Sequence, residues 1–483
     1  MFDIINFRVV AKVLSRIFFI ISGALIVSAG VATIYFEEVV PFFISTFITL
    51  LLGFLLLPVG NKLNGSFSLQ RKDAYFTVTI SWFAISLTGC LPYLFSGAIP
   101  TFSDAFFESV SGFSTTGSSI LTDIEALPKS ILFWRSLTHW IGGIGIIVLV
   151  IVVMPTLQIG GYHLFTLESS LQEKIRPKIK SVGLRLLYIY MALTIAEIVL
   201  LMAGKMSLFD SFCHAFGTVA TGGFSPKNSS IGGYSPYIQY VIMIFMLLAG
   251  TNFVIHYFLV HGEVKKVRNN EEFRFYLSMI IGIGLIITAI LLIHTDKPFE
   301  TAFRESFFQV ISIVTCTGFA TADYMLWPQI AWLIIFLAMF LGGSTGSTAG
   351  GIKMARHLMV LKNIHRSFKQ LLKPNAIFRL TLNKNNINDE TNNSIIGFVI
   401  LYLMIFVSGS ILVVITGVEI PEAVSSVATC MAGIGPGLGA VGPSGNFAFL
   451  PDITKLILSG LMLIGRLEIY TIIELFTLSF WRK

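Results

Sequence analysis

Charge is scarce in this sequence. Asp, Glu, Lys and Arg supply 12% of its 483 residues against 54% apolar residues, and the mean hydropathy is +0.81. A soluble domain carries roughly 25% charged residues. The shortage therefore excludes an ordinary water-exposed surface and points to an all-α polytopic membrane protein. Cysteine is scarce too: Cys90, Cys213, Cys316 and Cys430 lie in or beside apolar segments without paired spacing, so neither a disulfide framework nor a cysteine metal site is expected. His139, His163, His214 and His256 form no H-E-x-x-H pattern and are expected as hydrogen-bonded structural residues. No nucleophile, base and orienting group assemble, so the chain is not expected to be an enzyme or to hold a covalent cofactor. No apolar run carries arginine at every third position, which excludes a voltage sensor of that kind. The net charge of +7 does not imply a nucleic-acid partner, because basic residues of membrane proteins collect on the cytoplasmic side.

What is present is a succession of apolar runs long enough to cross a bilayer. Residues 17–36 follow Arg8, Lys12 and Arg16, and 41–58 return after Glu37 and Glu38. A cleaved signal peptide is the competing reading of the first run, although the run is longer than a usual signal core. From Ala74 a unit recurs: a span, a short amphipathic run of about a dozen residues that cannot cross a bilayer, a glycine loop and a second span. The loops are Ser114-Thr115-Thr116-Gly117-Ser118, Ala220-Thr221-Gly222-Gly223-Phe224, Cys316-Thr317-Gly318-Phe319-Ala320 and Gly433-Ile434-Gly435-Pro436-Gly437. With Gly117, Gly222, Gly318 and Gly435 as key glycines, the intervals are 105, 96 and 117 residues by subtraction of their positions. The resulting division is an extra helix pair at 1–73 and four repeats at 74–182, 183–274, 275–392 and 393–483, with ten spans in all.

The short runs share a register. Phe107, Phe212 and Phe308 stand ten residues before the key glycine, and Asp104, Asp210, Glu305 and Glu422 stand twelve or thirteen before it. An acid in the first turn complements the helix dipole, and the opposite, negative end then points along the axis where it favours a cation. One such run alone would read as an interfacial helix; four in register, each followed by glycine, read as loops that gather backbone carbonyls round an axis to replace a cation's water shell. Of the 33 basic residues, 25 fall in segments that this count puts inside, so both termini are expected on the cytoplasmic face and the loops in the outer half of the membrane.

The alternation of span, pore helix, glycine loop and span, four times in one chain, resembles the Trk/Ktr/HKT superfamily of cation transporters, relatives of tetrameric potassium channels. The likeness covers nearly the whole chain. The extra N-terminal spans, the stretch from Asn252 with its basic loop, the glycine-rich run 342–353 and Gly465-Arg466-Leu467-Glu468 are similar to the TrkH type. The resemblance implies four joined repeats round a pseudo-fourfold pore, in a bacterial inner membrane. It implies a potassium-binding selectivity filter at Thr115, Thr116, Gly117, Ala220, Thr221, Gly222, Cys316, Thr317, Gly318, Ile434 and Gly435. Thr116, Thr221 and Thr317 precede their glycines, whereas Ile434 stands in the fourth loop and makes the ring uneven. It also implies potassium as substrate, a homodimer, and nucleotide-binding regulatory subunits of the TrkA type that carry any nucleotide and dock on 353–384 and 174–185. A secondary symporter coupling potassium to protons or sodium is the alternative, since broken helices suit both.

Two further features stand out. Between 342 and 351, five glycines, two serines and two threonines interrupt a span. Such a break is tolerated only where it is buried in protein or lines a watery cavity. The functional reading is a gate at Gly343, Ser344, Thr345, Gly346, Ser347, Thr348, Ala349 and Gly350; the plain reading is close packing of helices through small residues. The same stretch fits G-x-S-x-G, but without the strand-to-helix setting that gives that motif meaning. Arg466 lies within the last span, at a cost of at least about 2.5 kcal/mol on insertion scales, so it should face a cavity or a partner. Glu468, Glu474 and Glu197 are its candidate partners. Either it joins a buried ion pair, or it adds a fixed positive charge to the gate.

Overall fold

The computed structural model describes residues 5–61, 71–148 and 179–482. Its regular secondary structure is almost all helix, and its one sheet among the described residues is a small hairpin, Thr381–Leu382 against Asn385–Asn386. Asn383 and Lys384 both have positive φ, as a two-residue primed turn requires.

The chain opens with Phe7–Ile34, whose N-cap Asn6 accepts from Arg8 N–H, and returns as Val40–Asn61. The two pack as a hairpin, with Ser15 Oγ donating to Gly53 O at 2.8 Å. The two ends of the described chain meet. Ile5, Val10, Ala74, Tyr75 and Phe480 form one cluster, Asn6 N–H donates to Asp73 Oδ1 at 2.7 Å, and Lys72 Nζ to Arg482 O at 2.6 Å.

Four times thereafter a long helix is followed by a short one. The long helices are Arg71–Gly89, Ile179–Ala203, Glu271–His294 and Asp389–Ile415; the short ones are Phe102–Phe113, Leu208–Val219, Phe299–Val314 and Ile420–Ala432. First-turn acids are Asp104, Asp210, Glu300 and Glu422. In the third short helix the acid is therefore Glu300 and not the expected Glu305, because the helix starts directly after Pro298. Glu305 lies further along and pairs with Lys297 at 2.5 Å.

The helices that follow the loops do not run straight through. Pro236–Ala249 bends by 102° into Phe253–Val260, with Asn252 capping Val254 N–H, and Asp452–Arg466 bends by 115° into Ile469–Phe476. In the third unit Gln329–Ala338 gives way to the glycine-rich stretch before Met354–Leu372 begins. Among the described residues, six helices are long and apolar enough to cross a membrane, or up to eight if each bent pair is one span; ten spans are expected from the sequence of the whole chain. The helix Gln329–Ala338 is only ten residues long, and the end of the expected 136–154 span lies outside the described residues. So do Lys62, Lys174, Arg176, Lys178 and Lys483.

Candidate functional site

The four loops leave their helices in one backbone pattern. Thr116, Gly222, Thr317 and Ile434 donate N–H to the carbonyl five residues back, on Ser111, Gly217, Ser312 and Thr429, at 2.9, 2.7, 2.8 and 3.0 Å. The preceding residue is left-handed in every loop: Thr115 (φ 53°), Thr221 (54°), Cys316 (56°) and Gly433 (72°). A non-glycine residue held there costs on the order of 1–3 kcal/mol, and persists only where its surroundings over-determine it. The following glycine is left-handed as well: Gly117 (82°), Gly223 (80°), Gly318 (84°) and Gly435 (104°).

This pattern corrects the second loop by one residue. Gly223, not Gly222, is the counterpart of Gly117, Gly318 and Gly435; Gly222 matches Thr116, Thr317 and Ile434. Thr221 then matches Thr115 and Cys316, so the residues before the left-handed glycines are two threonines, one glycine and one isoleucine. The short helix agrees. Phe107 and Phe308 are fully buried, and their counterpart is buried Cys213, while Phe212 is 36% exposed. Gly222 is glycine for a different reason: a Cβ there would sit 2.5 Å from His139 Cγ.

The loops close into a ring. A Cβ on Gly117 would run into Gly222 O, one on Gly223 into Thr317 O, and one on Gly318 into Ile434 O. A Cβ on Gly435 would come back to 3.0 Å from Thr116 O. Gly117, Gly223, Gly318 and Gly435 thus each lie against the carbonyl of the next loop, closely enough at the first three that a side chain has no room, and all four have the positive φ that favours glycine. Every seam is pinned. Asn228 Nδ2 donates to Asp123 Oδ1 at 2.8 Å, Ile231 N–H to Ala320 O at 3.0 Å, Tyr324 Oη to Gly437 O at 2.5 Å, and Ser118 Oγ to Gly435 O at 3.0 Å. A cavity of about 170 Å³ opens on this ring and is lined by all four glycines, Gly117, Gly223, Gly318 and Gly435. Asp123, in the exposed loop at its edge, is held below the usual carboxylate range by its hydrogen bond from Asn228.

Behind the ring sit Glu108 and Arg135, which the sequence did not single out, and His139, which it did. Glu108 accepts from Arg135 Nε at 2.7 Å and Ile120 N–H at 3.0 Å, and Arg135 stacks 3.9 Å from the Phe224 ring centroid. His139 is hydrogen-bonded, as its sequence context predicts. Its Nδ1 lies 2.8 Å from Gly112 O and its Nε2 accepts from Phe224 N–H at 3.2 Å, which fixes the proton on Nδ1. One imidazole therefore joins the first short helix to the second loop.

Residues 343–350 lie at the C-terminal ends of the short helices. Thr348 Oγ1 is 3.1 Å from Val219 O and 3.3 Å from Ala249 O, and a Cβ on Gly350 would run into Ala432 O. This strap, 343–350, is tied to the bend between Pro236–Ala249 and Phe253–Val260 through Ser344 N–H to Gly250 O (2.9 Å) and Phe253 N–H to Gly346 O (3.2 Å). Internally, Ser347 Oγ donates to Ser344 O at 2.6 Å. Its other anchor is Glu272, 1% exposed, whose Oε1 accepts from Thr345 N–H at 2.7 Å and Ala355 N–H at 3.0 Å. The only sequence signal for Glu272 is an acid pair at a helix start. Ala349 and Gly343 are packed against one another, a contact that any side chain on Gly343 would disturb.

Arg466 reaches the same place, and of the two readings of its charge the ion pair is not the one found among the described residues. Nη1 donates to Thr348 O at 2.7 Å, while Nε and Nη2 are buried without a partner among the described residues. Glu468 pairs instead with Arg356 at 2.5 Å, because its left-handed backbone (φ 59°) turns it off the Arg466 helix. Glu474 is exposed, and buried Glu197 lies beside Thr218.

Comparison with known proteins follows the same outline. The family model for TrkH, described as a cation transport protein, matches residues 41–481. The Trk system potassium uptake protein TrkH of Salmonella typhimurium is 35% identical over 487 residues, covering 99% of this chain and 100% of the relative. That of Halomonas elongata is 36% identical over 424 residues, covering 86% and 87%. The crystal structure of the potassium transporter TrkH from Vibrio parahaemolyticus superposes with a TM-score of 0.91 at 32% identity, covering 99% of this chain and 100% of that one.

Proposed function

The chain belongs to the TrkH family of potassium uptake proteins, and from that premise we propose that potassium crosses it through the ring of four loops. In this reading the carbonyls of Thr116, Gly222, Thr317 and Ile434, with the neighbouring loop backbone, replace the ion's hydration shell. The four units act as quarters of one pore, and the N-terminal hairpin is an addition beside it. The observation that carries the proposal is the closed cycle of glycine-to-carbonyl approaches. The helix C-termini behind the ring favour a cation on the inner side.

The strap 343–350 and Arg466 form the gate below that ring. Arg466 brings a positive charge that no carboxylate neutralises among the described residues, and the strap's carbonyls and hydroxyls fill the path. Both chain ends lie on the cytoplasmic side of the inner membrane, a reading supported by the basic residues and by the packing of the two ends on each other. A homodimer with a nucleotide-binding regulator completes the assembly. The helix Met354–Leu372 suits regulator docking, since Leu361, Ile364, Phe368 and Leu371 are exposed along it. Lys362 is less available there, being paired with Glu271.

The deciding experiment is flux in liposomes that hold only this chain. Potassium flux well above sodium flux, unresponsive to an imposed proton or sodium gradient, is expected. Flux that follows the gradient of a second ion would replace the pore with a coupled carrier.

A further inference from the structure

A groove of about 600 Å³ on the flank of the molecule takes no part in the ring. It runs between the first N-terminal helix, the helix Lys129–Val148 and the second short helix, with Val27, Phe133, Trp140, Leu208 and Phe212 among its walls. Every lining residue is aliphatic or aromatic. Such a lining offers water almost no hydrogen-bond partners, and Ile20 and Val27, 62% and 55% exposed, open the groove towards the hydrocarbon.

One end of the groove is not apolar in its surroundings. Tyr35 and Phe209 meet edge to face at 5.6 Å, and exposed Lys129 places Nζ 4.2 Å from the first ring centroid and 5.7 Å from the second. Glu37 could have neutralised this cation. Its two oxygens instead accept the backbone N–H groups of Lys129 and Ser130, at 2.7 and 2.8 Å. Among the described residues the ammonium has no carboxylate ion pair. From Lys129 to Ile141, which lines the inner end, the helix rises by about 18 Å. That is close to the depth of one leaflet of a hydrocarbon core about 30 Å thick.

We propose that this groove is a phospholipid site. An acyl chain of one glycerophospholipid lies along the first N-terminal helix and the second short helix, and its phosphate rests on Lys129. A dry slot one leaflet deep, with an exposed cation at the interfacial end that has no carboxylate ion pair among the described residues, matches both parts of such a molecule. The site gives the N-terminal hairpin a role, which is to hold a lipid against the helix that carries the second loop of the ring. The inference rests on the membrane placement of the chain and is independent of how ions are conducted.

The test uses the full chain reconstituted in nanodiscs of phosphatidylethanolamine and phosphatidylglycerol, then extracted in detergent for native mass spectrometry. Wild type should retain one phospholipid per chain. Lys129→Gln, an exposed change that leaves the fold intact, should lower phosphatidylglycerol retention about fivefold, and Lys129→Arg should restore it. Val27→Trp, which fills the groove, should abolish retention. Added phosphatidylglycerol should raise the unfolding temperature of wild type more than that of Lys129→Gln. Wild type without bound phospholipid, or equal retention by Val27→Trp, overturns the proposal. A change of oligomeric mass in Val27→Trp with lipid retention unaltered also overturns it, since the groove would then face a second copy.

Discussion

Arg135 and Glu108 form an ion pair at 2.7 Å with side chains only 2% and 0% exposed. The pair is not isolated. Arg135 also donates to Ser119 Oγ at 3.1 Å and Ser225 O at 3.3 Å, so one guanidinium spans the segments following the first and second loops. The planar fork of arginine makes this possible, and lysine could not reproduce it.

Breaking that pair should be severe. Glu108→Gln leaves the arginine buried and uncompensated, at a cost of about 3–5 kcal/mol. The expected outcome is a lower unfolding temperature in detergent together with reduced preference for potassium over sodium. Arg135→Lys should keep more stability than Glu108→Gln while still losing selectivity, as read by paired flux and melting measurements.

The register of the second loop makes a separate prediction. Gly223→Ala should lower selectivity irreparably, because its methyl meets the Thr317 carbonyl and its φ is left-handed. Gly222→Ala meets the His139 ring first, so adding His139→Ala should recover part of the lost flux. Equal rescue of both glycine variants would return the second loop to the register with Gly222 as the key glycine.

Glu272 should behave as an anchor of the strap. Glu272→Gln weakens the acceptor for Thr345 and Ala355 N–H, and hydrogen bonds to a charged group are worth about 1.5–3 kcal/mol. Basal flux should rise in liposomes holding the chain alone, with the ratio of potassium to sodium unchanged. Unaltered basal flux in a folded variant would count against the strap as a barrier.

Deleting part of 345–350 should raise basal flux further than any single substitution. Arg466→Ala should raise it less, since it removes the charge and the bond to Thr348 O but leaves the strap in place. Both should preserve selectivity. Flux that no longer distinguished the two ions would recast the stretch as a support of the ring.

The sequence by itself determined the class and the outline. Scarce charge and long apolar runs require helices in lipid, because each backbone polar group must be satisfied within its own segment. The recurrence of a short helix before each glycine loop is written in local composition, as is the break at 342–351, where glycine and hydroxyl residues displace an apolar run. The tertiary structure decided what depends on distant partners. Gly222 and Gly223 are adjacent and chemically identical, and their roles are distinguished by backbone conformation and by what each lies against, the Thr317 carbonyl for Gly223 and the imidazole of His139 for Gly222. Likewise Glu468 was within reach of Arg466 along the chain, yet it pairs with Arg356, 112 residues away. A left-handed residue at position 468 reverses the direction of its side chain, and no periodicity in the sequence encodes that turn.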